Sequence, residues 1–365
     1  MREKFEVIVD LRHQGYVVHK LSDVLIIVMG AVLCGLDELG DIVTFAKKRL
    51  DFFKKHFGIE QVPSKPTLSR ILNMVDGEAV GAVVIEIMKE SAGVCGGVLA
   101  VDGKAVRSTA RDKNNPHSAL QILTAYLTES GVVLGQKPIN EKTNEIPVFQ
   151  EMLDLLDVSG KTITADAMHC QKETCRKIVG KGGHYLLGLK GNQKALFDDA
   201  ALFFKGDANN ADIEECRTSE KNAGRIEERT CRKTTKLGWL EGRKDWKGLA
   251  TLVEIRRVFE TKRGRSDETS YYITDLDKPA EELLRIARDH WKIESMHWML
   301  DVVFSEDESR ILSENGHKTL NALRKMALLI HKRFIAKHGK KTSVKGHLLA
   351  CLLDESLLEQ VCKSL

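Results

Sequence analysis

The sequence has no long apolar run. Its longest, Val24–Leu36, holds 13 residues and includes Gly30 and Gly35, whereas a membrane span needs about 20. A buried helix is expected there. The opening Met1-Arg-Glu-Lys-Phe-Glu lacks the apolar core of a secretory signal, so a cytoplasmic chain with no membrane partner is expected. Eight cysteines stand at 34, 95, 170, 175, 216, 231, 351 and 362 without a CxxC pair. That spacing argues against a zinc ribbon and for reduced, packed thiols. G-x-S-x-G, Walker A, dinucleotide and HExxH patterns are all missing. Gly188-Leu-Lys-Gly-Asn has the wrong spacing for a phosphate loop. No internal repeat or low-complexity tract is visible.

What is present is a 365-residue chain, 42% hydrophobic and 30% charged. These values exclude a disordered polymer and leave room for two or three domains. The net charge of +4 is small but unevenly placed. Thr44–Asn73 carries seven basic residues against two acidic ones. His317–Ala350 carries nine, among them Arg324 and Lys325, with no acid. Two such blocks suit a polyanion crossing several domains, and solvated helix faces are the alternative.

Residues 1–92 read as helical. Leu21–Leu36 is a buried helix, and Asp41–Phe57 an amphipathic one closed by Gly58. In Val62-Pro-Ser-Lys-Pro-Thr-Leu-Ser-Arg-Ile-Leu72, Pro66 suits the first turn of a short helix carrying Lys65, Ser69 and Arg70. That helix fits the recognition half of a DNA-reading helix-turn-helix; the alternative is an ordinary capped helix.

The period then changes. Gly97–Asp102, Leu120–Leu127, Val132–Lys137, Lys161–Asp166 and His184–Lys190 read as strands. Helices are expected at Pro147–Leu156, Cys170–Gly180 and Gln193–Phe204. The order β-β-β-α-β-α-β-α is that of an α/β ribonuclease-H-like mixed sheet with flanking helices, starting at residue 93 and running to 204. Residues 205–276 read as a β-rich insertion, strand-forming at Leu249–Phe259 and Thr269–Thr274. Helix returns over Pro279–Phe304, and a basic helix over Gly316–His338. Residues 277–365 thus form the C-terminal part of the core.

Asp102 and Asp166 each end an apolar strand. If the strands are neighbours, both carboxylates emerge at one sheet edge. Like charges so placed call for a cation, and oxygen donors suit Mg²⁺ or Mn²⁺. A third acid comes from the late helix, where Leu284, Ala287, Trp291, Glu294, Trp298 and Asp301 follow a 3–4 spacing on one face. Glu294 in an aromatic, core-facing stripe would be costly without a cation, and Asp301 is its rival as third ligand. His290, Glu294, His297 and Asp301 also share a face, which raises a zinc alternative. Arg285, Arg288 and Lys292 form a further stripe for phosphates. Lys104, Arg107, His169, Lys190 and Lys194 sit just past strand ends, where they could hold a scissile DNA strand.

Several stretches carry a family resemblance: Asp10-Leu-Arg12, His19-Lys-Leu-Ser-Asp-Val-Leu25, Ala100-Val-Asp-Gly-Lys104, Asn144-Glu-Ile-Pro147, Thr164-Ala-Asp-Ala-Met-His-Cys-Gln171, Leu189-Lys-Gly-Asn-Gln193 and His290-Trp-Lys-Ile-Glu-Ser-Met-His-Trp-Met-Leu-Asp-Val-Val303. In this order they resemble bacterial insertion-sequence transposases of the DDE class, in particular the ISAs-type, H-repeat-associated group. The resemblance implies a ribonuclease-H-like core interrupted by a β insertion and preceded by a helical associated domain. It also implies catalytic roles for Asp102, Asp166 and Glu294, and a homodimer on double-stranded DNA. Many relatives carry Tyr-x2-Arg-x3-Glu-x6-Lys around the glutamate. Here those flanking places hold Ala287, His290 and Asp301, so Arg288 or Lys292 would have to replace the missing DNA contacts. The expected activity is cleavage at element ends with two Mg²⁺ (or Mn²⁺) ions and transfer of the 3′-hydroxyl to target DNA. A non-transposing nuclease and a catalytically silent DNA-binding remnant are the alternatives.

Overall fold

The computed structural model describes the whole chain except residues 93–95, 111–117, 140–143, 207–211, 223–224, 262–263, 312, 340 and 365. The first ninety residues form helices α1 (Arg2–Glu6), α2 (Leu21–Val32), α3 (Leu39–Lys48), α4 (Leu50–Phe57), α5 (Lys65–Met74) and α6 (Gly77–Ala92). Helix α2 is apolar on every side, and all its residues but Asp23 are buried. The segment expected as one helix over Asp41–Phe57 is two, because Arg49 leaves helical geometry at φ −108°, ψ 24°. Gly58 closes the second in the left-handed conformation that a glycine tolerates without strain. The Ser64 hydroxyl caps α5 by accepting from the Thr67 amide, with Pro66 in the first turn. The link from α4 spans 58–64, longer than the three or four residues of a helix-turn-helix turn. The tight turn expected there is therefore absent.

Strands β1 (Gly97–Val106), β2 (Leu120–Leu127) and β3 (Val132–Ile139) pair antiparallel, with β1 flanked by β2. Helix α7 (Glu145–Leu155) then leads to β4 (Lys161–Ala165), and α8 (Lys172–Gly180) to β5 (His184–Leu189). Strand β4 lies parallel to both β1 and β5. After α9 (Lys194–Lys205) the chain adds β6 (Glu214–Asn222), β7 (Arg225–Thr234), β8 (Thr251–Thr261) and β9 (Gly264–Thr274). The nine strands form one sheet in the order β3-β2-β1-β4-β5-β9-β8-β7-β6. The first five keep the ribonuclease-H-like order, and the inserted strands extend that same sheet through the β5–β9 pair.

Strands β6 and β7 were not visible in the sequence, because charge pairs rather than alternating apolar residues hold them. Glu227, only 1% exposed, pairs with both Arg229 and Arg257. Arg232 pairs with Glu254 of β8 at 2.5 Å. Helix α10 (Ala280–Val302) crosses β1, β4, β6 and β7. Helix α11 (Glu314–Lys337) packs against α2, α5 and α6, and α12 (Val344–Leu353) and α13 (Glu355–Lys363) close the chain. One continuous apolar core runs from α2 through the sheet to α13. Within α11, Leu320, Leu323, Met326, Ala327, Leu328 and Ile330 are buried, so the helix is enclosed on all sides.

Candidate active site

Pairing sets the position of the two aspartates. The parallel β1–β4 register ends at Val101↔Ala165, so Asp102 and Asp166 come next on adjacent strands. Strand β4 stops there, whereas β1 continues to Val106 along β2. Asp102 is thus inside its strand rather than at its end, and it faces the space that opens where β4 finishes. Asp166 leads into a short 3₁₀ turn, Ala167–His169. Its conformation is held from three sides: Asn192 Nδ2 donates to the Ala167 carbonyl at 2.7 Å, Gln193 Nε2 donates to the Cys170 carbonyl at 2.9 Å, and His169 Nε2 meets Glu145 Oε1 of α7 at 3.0 Å. Segments 144–147, 164–171 and 189–193, distant in sequence, meet around this turn.

Helix α10 brings the third acid. Burial pushes the Glu294 carboxyl above the usual range, and the charges of Asp102 and Asp166 push it further. The three carboxylates therefore share one field. Among the described residues no lysine or arginine lies within 4.0 Å of any of them, and they do not close into a cage with all ligand oxygens within 4.8 Å. His297 Nδ1 lies 3.3 Å from Asp102 Oδ2. His290 Nδ1 lies 3.1 Å from Thr164 Oγ1, two residues before Asp166. Burial lowers the His290 pKa, against the opposing pull of Asp166 and Asp102.

The expected stripe on this helix is corrected. Leu284 and Ala287 are buried, but Trp291 and Trp298 are 54% and 60% exposed, and Glu294 is exposed with them. The face that enters the core beside the site is Ile293, Met296, His297 and Leu300. The reason is that α10 overhangs the end of β4, so one side of its second half has no sheet to cover it. Glu294 thus reaches the aspartates from an open rim. A groove of about 460 Å³ runs along Trp291, Glu294, Ser295, Trp298 and Met299. A second cleft of about 560 Å³ borders it, lined in part by Arg229, Arg257, Arg288 and Lys292.

The zinc grouping His290–Glu294–His297–Asp301 does not assemble among the described residues, and His290, His297 and Asp301 are engaged by Thr164, Asp102 and Lys104. Asp301 lies 2.7 Å from Lys104 Nζ, so Glu294 is the acid of α10 that joins the aspartates. Lys104, expected to face DNA, is instead inside a charge cluster with Asp301 and the fully buried Glu306, at 2.8 Å. Burial alone would raise Glu306, but Lys104 and Arg324 outweigh it and bring its pKa down to about 2.

Arg324 and Lys325 are also corrected. Both are buried: Arg324 bonds Asp37 at 2.9 Å, and Lys325 Nζ donates to Thr124 Oγ1 at 2.9 Å and Gln136 Oε1 at 3.0 Å. Asp37 and Glu306 balance Arg324, whereas Lys325 is buried against neutral oxygens only. His169 is 1% exposed and packs on Phe149, so it supports Asp166 and does not reach outward. Arg288 pairs with Glu220 at 2.7 Å and Lys292 with Asp289 at 2.7 Å. Arg107, Lys190, Lys65 and Arg70 are exposed, Ser69 is half-buried, and Lys194 is exposed and paired with Asp198.

Comparison with known proteins places the chain in a family. A family model described as Transposase DDE domain matches residues 94–330. The chain belongs to the DDE transposase family. A second model, described as DDE_Tnp_1-associated, matches residues 2–88. The chain is 36% identical to "Putative transposase YncI" of Escherichia coli O157:H7, over 96% of this chain and 92% of that one. It is 33% identical to "H repeat-associated putative transposase YhhI" of Escherichia coli K12, over 98% of each. Within this DDE transposase chain, no described helix is long and apolar enough to cross a membrane.

Proposed function

We propose that the chain is the transposase of an insertion sequence. It binds the double-stranded ends of its element in the cytoplasm, cuts phosphodiester bonds there and joins the freed 3′-hydroxyl to target DNA. The observation carrying this reading is the shared field of Asp102, Asp166 and Glu294, in which two aspartates raise the glutamate pKa.

Three hard oxygen donors without a lysine or arginine partner fit divalent cations such as Mg²⁺ or Mn²⁺. When bound, two such ions supply activation of the attacking hydroxyl and stabilisation of the leaving oxygen. The protein's own part is positioning and charge. Asp102 and Asp166 hold fixed places because β1 and β4 are hydrogen-bonded neighbours. His297 steers the Asp102 carboxylate. The exposed indoles of Trp291 and Trp298 flank Glu294 and offer stacking surfaces for bases. Arg107 and Lys190 at the rim, with Arg288 and Lys292 in the bordering cleft, would meet phosphates. Lys65, Ser69 and Arg70 of α5 would add a separate contact. A homodimer would hold the two ends of one element.

The test compares Asp102→Asn, Asp166→Asn and Glu294→Gln with the wild type on DNA carrying the element ends and Mg²⁺. Each variant should lose cleavage by roughly a hundredfold or more. Activity surviving all three changes would end the proposal. Cutting without strand-transfer products would make the chain a nuclease, and DNA binding without cutting a silent remnant.

A further inference from the structure

Away from the carboxylates, His331 of α11 and His347 and Cys351 of α12 bring one nitrogen or sulfur each to within 4.8 Å of one another. All three are almost completely buried, at 0%, 2% and 0% exposure. His347 and Cys351 are four residues apart and so share one face of α12. The two Nδ1 atoms of the histidines stand 2.7 Å apart. His331 Nε2 lies 3.0 Å from the Leu33 carbonyl, which can only accept, so the ring proton is on Nε2 and the Nδ1 lone pair points into the cluster. Burial and the neighbouring ring keep His331 neutral, lowering its pKa to about 3 against the opposing pull of this bond. A ligating histidine has this arrangement: one nitrogen tied to a carbonyl, the other presented as a donor.

Two further thiols lie near Cys351 but outside this cluster. Burial raises the Cys34 and Cys362 pKa values, and Cys351 adds to both shifts by its proximity. Cys34 follows Leu33 at the end of α2, and Cys362 lies on α13. Two imidazoles and one thiol form a soft, nitrogen–sulfur donor set, unlike the oxygen donors at the sheet edge.

We propose that His331, His347 and Cys351 form a Zn²⁺ site that fastens helix α12 to α11 beside the end of α2. Binding deprotonates Cys351, moves the shared imidazole proton of His347 to its other nitrogen and releases the thiol proton to solvent.

The experiment uses the full chain, purified without chelator. Elemental analysis should find about one zinc per chain, and stripping the metal should lower the melting temperature. Co²⁺ added to the stripped protein should produce a thiolate-to-metal charge-transfer band, which oxygen ligands cannot give. That band should persist in the Asp102→Asn/Glu294→Gln double variant and disappear in Cys351→Ser. A stripped wild-type chain that gives no such band, or a band of full strength in Cys351→Ser, would overturn the proposal. Because the cobalt spectrum is read on the wild type, the test holds even if the cysteine variant folds poorly.

Discussion

His297 Nδ1 of α10 stands 3.3 Å from Asp102 Oδ2 of β1, and both lie on the face of the sheet that carries the acids. The contact joins the helix that delivers Glu294 to the strand that delivers Asp102. A group that orients a metal-holding carboxylate typically contributes 10–100-fold to affinity or activity. His297→Ala should therefore lower DNA cleavage by about that factor and raise the Mg²⁺ concentration for half-maximal rate. His297→Gln, which keeps a donor, should recover part of it. A titration of rate against Mg²⁺ decides; unchanged metal dependence in the alanine variant would refute the role.

Glu306 is buried between Lys104 and Arg324, with Asn321 Nδ2 donating to it at 2.8 Å. Replacing it by glutamine leaves Lys104 with Asp301 and Arg324 with Asp37 as remaining partners, so the loss should stay below the roughly 3–5 kcal/mol of a fully broken buried pair. The pH dependence has a definite sign. The folded pKa of about 2 lies below the unfolded value of about 4.3, so this group's contribution is complete above the latter and lost as the pH falls towards 2. Urea unfolding of wild type and Glu306→Gln from pH 7 to pH 2 should show curves that converge on acidification.

Trp298 is 60% exposed beside Glu294. A stacked base contributes about 1–3 kcal/mol, so Trp298→Ala should weaken binding to element-end DNA by roughly 5–150-fold without lowering the melting temperature. Trp298→Phe should retain most of the affinity. Fluorescence anisotropy with an end-containing duplex measures both.

Gly77 opens α6 against α11. A Cβ there would lie 2.6 Å from the Asn315 carbonyl oxygen and 2.7 Å from Lys318 Cβ. Gly77→Ala must push the two helices apart, costing about 1–3 kcal/mol. Calorimetry should record the drop; an unchanged melting temperature would mean the helices can part freely.

Much of this architecture was legible in advance. The five core strands announced themselves as apolar runs, and Pro66 marked the first turn of α5. Residues 144–147, 164–171 and 189–193 could be recognised as motifs, but only folding shows that Asn192, Gln193 and Glu145 brace the turn after Asp166. Strands β6 and β7 were hidden because Arg229, Arg257 and Glu227 stabilise them by charge, leaving no alternation to read. Arg324 and Lys325 misled because charge was counted without its partners. Their neighbours, apolar on every side of α11, carried the sign of burial. The aromatic stripe of α10 followed helical spacing correctly, yet spacing cannot tell that β4 stops short beneath it.

The inserted strands continue the sheet without a break, and this has a consequence for scale. Nine strands at about 4.8 Å spacing make a plate roughly 40 Å across, slightly more than the 34 Å that a duplex rises in one turn. Six of those spacings, about 29 Å, separate β1 from β6, a little less than one turn of a duplex. If the chain works on DNA as proposed, the added strands give it a flank on which most of one winding of duplex could lie beside the carboxylates.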